Sequence, residues 1–131
     1  MFGQRTGSSA ATSDAATLAL SGPSHIRGGL YLQAKISVLA HRQLSTPTLV
    51  LNRGFLDGLT INTIEPQASQ ELNRNGQLVL QYGALKAGHR LTVWIEYQVN
   101  PTTVGARTQR LELDDGETPI AAVTRDFRSF P

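Results

Sequence analysis

The chain has 131 residues, the size of one domain with a real core. Hydrophobic residues make up 40% and charged residues 17%, and the 12 Lys and Arg are scattered for a formal net charge of only +2, which argues against nucleic-acid binding despite a pI near 9.4. Cysteine is absent, which removes disulfides and cysteine zinc sites, and no apolar run approaches the ~20 residues that span a bilayer.

Taken in order, the first five residues carry no apolar segment of the signal-peptide kind. Residues 6–16 are small, polar and without period, so residues 1–16 are expected to form a flexible arm and the domain to begin at 17. A first strand is expected over 17–21, with Leu18 and Leu20 inward, broken by Gly22-Pro23-Ser24. Residues 25–29 then read as a connection into a long strand over 30–40. There Leu30, Leu32, Ala34, Ile36, Val38 and Ala40 alternate with Tyr31, Gln33, Lys35 and Ser37, and the unbroken period of two decides against a helix. Pro47 opens a short strand over 48–51. After a turn-rich link at 52–58, Leu59, Ile61 and Thr63 are expected inward in a strand that Glu65-Pro66 stops.

Residues 67–75 are the most polar internal stretch and read as a surface loop, with Asn75-Gly76 resembling the centre of a type I′ turn. Leu78 and Leu80 point inward along 77–82. The strand around which the chain is organised follows the turn at Leu85 to Gly88: Leu91, Val93, Ile95, Tyr97 and Val99 on one face, Thr92, Trp94, Glu96 and Gln98 on the other. A turn at 100–105 leads to a strand over 106–114 with Gln109, Leu111 and Leu113 on one face. Asp115-Gly116 then sets a hairpin turn in which Asp114 should pair with Glu117 and Glu112 with Pro119. The last strand, 118–130, carries Ala121, Val123, Arg125 and Phe127 on one side.

Seven to eight strands with frequent turn signals and no amphipathic helix predict an all-β fold, a two-sheet antiparallel immunoglobulin-like sandwich over 17–131. From Gly76 through Trp94 to Gly105, the turn, long alternating strand and further Gly-containing turn resemble the immunoglobulin-like modules of bacterial and archaeal surface proteins, the DUF11-like and CARDB-like group. With its Ser/Ala-rich leader the whole chain also resembles the outer part of small actinobacterial membrane proteins, in which one helix precedes such a domain. The resemblance implies an extracytoplasmic, membrane-tethered, non-enzymatic module, and it supplies no functional residues.

The residues offer little chemistry of their own. His25, His41 and His89 lie in separate turns and strand ends without metal-ligand spacing. Glu112, Asp114, Asp115 and Glu117 could gather calcium, but Asp-Gly is what a tight turn needs and the EF-hand spacing is missing. No Gly-x-Ser-x-Gly elbow and no phosphate loop occurs, so neither an enzyme nor a cofactor or metal is expected. Trp94, opposite the core set of its strand, is the candidate contact residue, with Glu96 flanking it and Tyr31 on an outward position of the 30–40 strand. The expected role is recognition of a protein partner or self-association. A carbohydrate-binding module using the exposed aromatics, or a small hydrolase with a concave cleft, are the competing expectations.

Overall fold

The computed structural model describes residues 5–27, 31–100 and 105–130. The strands are β1 (Arg5–Thr12), β2 (Ala16–Arg27), β3 (Tyr31–Ala40), β4 (Pro47–Leu51), β5 (Leu59–Glu65), β6 (Gln70–Arg74), β7 (Gln77–Gln81), β8 (Arg90–Val99), β9 (Gly105–Asp115) and β10 (Thr118–Phe130), with a 3-10 turn at Arg53–Phe55. They form two antiparallel five-strand sheets in the orders β1-β2-β3-β8-β5 and β10-β9-β4-β7-β6. The sheets are joined at one corner, where His25 to Arg27 of β2 pair in parallel with Arg128 to Phe130 of β10.

Alternation places the core. Leu18 and Leu20, Ala34, Ile36 and Val38, and Val93, Ile95, Tyr97 and Val99 are buried from the first sheet, against Leu49, Leu51, Leu80, Leu111, Leu113, Val123 and Phe127 from the second. The inward set of β8 is as expected, with Leu91 half-buried at its start. Ser37 differs: it sits on the outer face of β3 yet is buried, because the Arg90 guanidinium lies over it and donates to its hydroxyl. Leu30 and residues 101–104 lie outside the described residues.

Five local readings are corrected. Residues 5–12, expected as an arm, form β1, paired with β2 from Arg5 opposite His25 to Thr12 opposite Thr17. A ladder needs only backbone groups, and Ser and Ala residues without a hydrophobic pattern can supply it. Gly22 does not end its strand. It takes φ +143, and a Cβ there would sit 3.0 Å from the Gln33 carbonyl oxygen. Ser21 is the last residue of β2 paired with β3, so Gly22 marks the point where β2 leaves its own sheet for β10.

In β5 the register shifts between Ile61 and Thr63, which pair with Tyr97 and Glu96. The bulge at Asn62 inverts the alternation, so Ile64 packs against the core where Thr63 was expected, and Thr63 is exposed. Residues 70–74, expected in a loop, form the edge strand β6, every side chain of which is exposed. Its turn is as expected: Asn75 and Gly76 both have positive φ, 54 and 77, between paired Arg74 and Gln77.

The closing hairpin is also shifted from its expected register. Asp115 pairs with Thr118 and Asp114 with Pro119, and a bulge after Pro119 brings Ala121 opposite Leu113. The cause is β4. Asp115 is held there by Thr46, whose amide donates to Asp115 Oδ1 at 2.9 Å and whose carbonyl accepts from Gly116 N at 2.9 Å. The loop thus becomes Gly116-Glu117, with positive φ (62) at its first residue alone, as a type II′ turn requires.

Candidate functional site

The outer face of the first sheet carries all three residues singled out from sequence. Register brings Lys35 of β3 and Glu65 of β5 to either side of Trp94, Gln33 and Thr63 beside Glu96, and Tyr31 and Thr60 beside Gln98. Trp94 is 40% exposed and Tyr31 65%, and Glu96 is exposed between them along the sheet. The Lys35 ammonium lies 5.3 Å from the indole centroid, a cation–π contact that covers part of the ring face. Tyr31 and Trp94 stand four residues apart in register, about 13 Å along the strands. Towards β1 the face turns small and flat, with Ala10, Ala19 and Ser21 in line with Ser37 and Lys35. The structure thus brings Trp94, Lys35, Glu65 and Glu96 together and leaves Tyr31 at the rim. Lys35 and Glu65 were not singled out from sequence. Only the strand register reveals them.

The third large apolar side chain exposed among the described residues, Leu72, lies on the edge strand of the other sheet. On that sheet's outer face Arg110 donates to Glu112 at 2.9 Å, and Asp114 stands next in line. Burial, followed by the hydrogen bond and charge of Glu112, pushes the Asp114 carboxyl up to about 7 against the opposite pull of Arg74 and Arg110. A groove of about 480 Å³ runs between the edges of β5 and β6, lined by Ile61, Ile64, Ala68, Glu65 and Glu71 among others. Beside it Tyr82 donates to the Pro66 carbonyl at 2.8 Å, and its phenol is pushed up to about 12 by burial and by Glu71 and Glu65.

A polar cluster that sequence reading missed lies inside the sandwich. Arg125, inward on β10 and only 9% exposed, donates through Nε to Gln109 Oε1 at 2.9 Å and through Nη1 to the Gly22 carbonyl at 3.0 Å. Gln109 Nε2 donates to the Gly54 carbonyl at 3.3 Å. Tyr97 enters from the facing sheet, its ring 6.5 Å from that of Phe127 and its hydroxyl raised in pKa by burial, which the nearby Arg125 and Gln109 oppose. The signal was present in the sequence, since Gln109 and Arg125 occupy inward positions of their strands, but a polar residue in an apolar row shows its partners only once the register is known.

Of the histidines, His41 has a structural role. It donates through Nδ1 to the Ser13 carbonyl at 3.1 Å and shares a hydrogen bond between Nε2 and Thr17 Oγ1 at 3.0 Å, tying the β1–β2 turn. His89 is exposed, and the side chain of His25 lies outside the described ones. Among the described residues no three His, Asp or Glu side chains gather as a metal site. No described helix is long and apolar enough to cross a membrane.

No protein family and no curated protein matches the chain by sequence. Solved structures match its fold. A non-cellulosomal cohesin from the archaeon Archaeoglobus fulgidus aligns over 82% of this chain and 86% of its own, with TM-score 0.50 and 13% identity. The reeler domain of human F-spondin aligns over 85% and 87%, with TM-score 0.52 and 11% identity. AvmM, which catalyses macrocyclization in alchivemycin A biosynthesis, aligns over 98% and 89%, with TM-score 0.55 and 8% identity. At these identities the likeness establishes a shared β-sandwich and nothing finer.

Proposed function

We propose that this chain is a non-catalytic recognition or assembly module, working outside the cytoplasm on a membrane tether, that binds another protein through the outer face of its β3–β8 sheet. The fold does not choose this function, since it also occurs in a macrocyclization catalyst. The site carries the reading. The one tryptophan of the chain is 40% exposed at the middle of a flat sheet face, ringed by Lys35, Glu65 and Glu96. A rigid aromatic inside a rim of both charges is the composition of a protein-binding hot spot. A sugar would need the indole face that Lys35 covers, which favours a protein over a carbohydrate. The β5–β6 groove is lined by two glutamates and by no histidine or cysteine. The likeness of residues 76–105 to surface-protein modules supports the extracytoplasmic placement.

A photo-crosslinking residue at Gln33, on the Trp94 face, should capture a specific protein in cells of the source organism. The same probe at Thr124, on the outer face of the other sheet, should not, and Trp94→Ala should abolish the product. Equal capture from both faces would sink the assignment. A membrane-impermeant amine reagent should label Lys35 in intact cells, and labelling only after lysis would refute the extracytoplasmic placement.

A further inference from the structure

At the corner of the sandwich where β2 leaves its sheet, cationic donors face inward with no acid among the described residues paired to them. Arg107 and Arg125 share the inner face of the β9–β10 ladder: Arg107 pairs with Phe127 and Gln109 with Arg125, so the two arginines are diagonal neighbours. Their Cβ atoms are therefore about 7–8 Å apart, within reach of one small ligand. Arg107 Nε and Nη1 and Arg125 Nη2 are buried without a hydrogen-bond partner among the described residues, and the Tyr97 hydroxyl, likewise buried, has Arg125 and Gln109 within interaction reach but no hydrogen bond of ordinary geometry. Tyr97 is 2% exposed and Arg125 9%, whereas Arg107 is half-buried and forms the solvent side of the cluster. The titratable group acting on Arg125 is Tyr97, and no carboxylate does so.

A buried guanidinium left unpaired is among the costliest arrangements in a fold, and a second one beside it adds repulsion. Tyr97 cannot supply the missing charge, because burial holds its phenol protonated. Gln109 and the Gly22 carbonyl already engage the Nε and Nη1 positions of Arg125, which fixes the guanidinium plane and leaves Nη2 as the one nitrogen of the group without a hydrogen bond among the described residues. A negatively charged oxygen ligand would satisfy these donors and neutralise the pair.

We infer that this corner is an oxyanion-binding site, in which Arg125 Nη2, the Arg107 guanidinium and the Tyr97 hydroxyl converge on a carboxylate or phosphate group. The site is separate from the Trp94 face, since Tyr97 and Trp94 are consecutive-face neighbours on β8 that point to opposite sides of the sheet. Arg107, at the solvent side, admits the ligand and contributes affinity. Arg125, pinned by Gln109, sets its position.

The test is a titration of the whole chain with acetate and with inorganic phosphate at constant ionic strength, followed by the Nε–H resonances of the arginines. Saturable shifts are expected at Arg107 and Arg125 and none at Arg53, whose exposed guanidinium pairs with Asp57 at 3.5 Å. Response to acetate alone assigns a carboxylate ligand, and response to phosphate alone a phosphoryl group. Arg107→Gln should weaken binding at least tenfold, and Tyr97→Phe, which keeps the ring packing, should weaken it severalfold. Arg125→Gln is expected to lose binding, but because it could also fail to fold it decides nothing by itself. Shifts that rise linearly with ligand, or that are equal at Arg53, would overturn the site and leave the donors to water. Unchanged affinity in Arg107→Gln would overturn it as well.

Discussion

Asp114 ties one side chain to the pH dependence of the whole. Its carboxyl titrates at about 7 in the folded chain against 3.8 ordinarily, because burial and Glu112 both disfavour the charge. A raised acid binds its proton more tightly when folded. Its stabilising contribution is therefore complete below about pH 4 and is lost as pH rises through about 7. The melting temperature should fall across that window, and Asp114→Asn should flatten the fall and raise the melting temperature at pH 8; an unchanged slope would show that Asp114 does not carry it. At the same scale Ile95, 2% exposed on β8, should cost about 2–5 kcal/mol in denaturant unfolding when cut to alanine. Such core residues were readable from the sequence because period-two alternation is a one-dimensional signal. Trp94, Tyr31 and Glu96 were readable as outward for the same reason. Ser37, Thr63 and the Arg125 cluster were not: the arginine over Ser37 and the Gly22 carbonyl that Arg125 binds lie far away in sequence, and the bulge beside Thr63 shows only in its pairing with β8.

At the scale of elements, the long alternating strands β3, β8, β9 and β10 stood out from their pattern, whereas the edge strands β1 and β6, unlike the edge strand β5, did not. An edge strand such as β6, exposed along its whole length, has no buried face to impose a period, so its composition reads as a loop. β1 makes the sharper test. Backbone amides of residues 9–12 that bond to β2 should exchange slowly and resist protease up to Thr12; exchange at the random-coil rate would return the segment to a tether. The closing hairpin shows how a turn signal can be right in kind and displaced in place. Asp-Gly does make the turn, but Thr46 holds Asp115 in the β4 ladder and shifts the loop by one residue. Gly116 keeps φ 62 with open space around it, so Gly116→Val meets no clash and should lose about 1–3 kcal/mol through backbone strain alone, read as a lower denaturation midpoint with an unchanged slope.

At the scale of the molecule, the two sheets are packed face to face and joined by one seam of backbone hydrogen bonds, the parallel pairs His25–Arg128, Ile26–Ser129 and Phe130–Arg27. Nothing in the sequence announced it, because Gly22-Pro23 reads as a terminator and a strand that changes sheets is visible only when both partners are placed. The seam also positions the Arg125 cluster, since the carbonyl that Arg125 binds belongs to Gly22, the residue at which β2 departs. Deleting residues 128–131 removes the three pairs of the seam together with the Arg128–Ala106 and Ser129–Gly105 pairs to β9, and leaves the buried Phe127 in the core. At about 0.5–1.5 kcal/mol per net hydrogen bond, with roughly one bond for each of the five pairs, the loss should be about 2–7 kcal/mol. The face-to-face core is the larger tie, so unfolding should remain one transition. Trp94 fluorescence reports on the first sheet alone, because the chain has one tryptophan, while far-ultraviolet circular dichroism reports on both. The two probes should shift together to the same lower midpoint in the shortened chain. If the fluorescence transition separates from the dichroism, the seam rather than the shared core is what makes the sheets unfold as one.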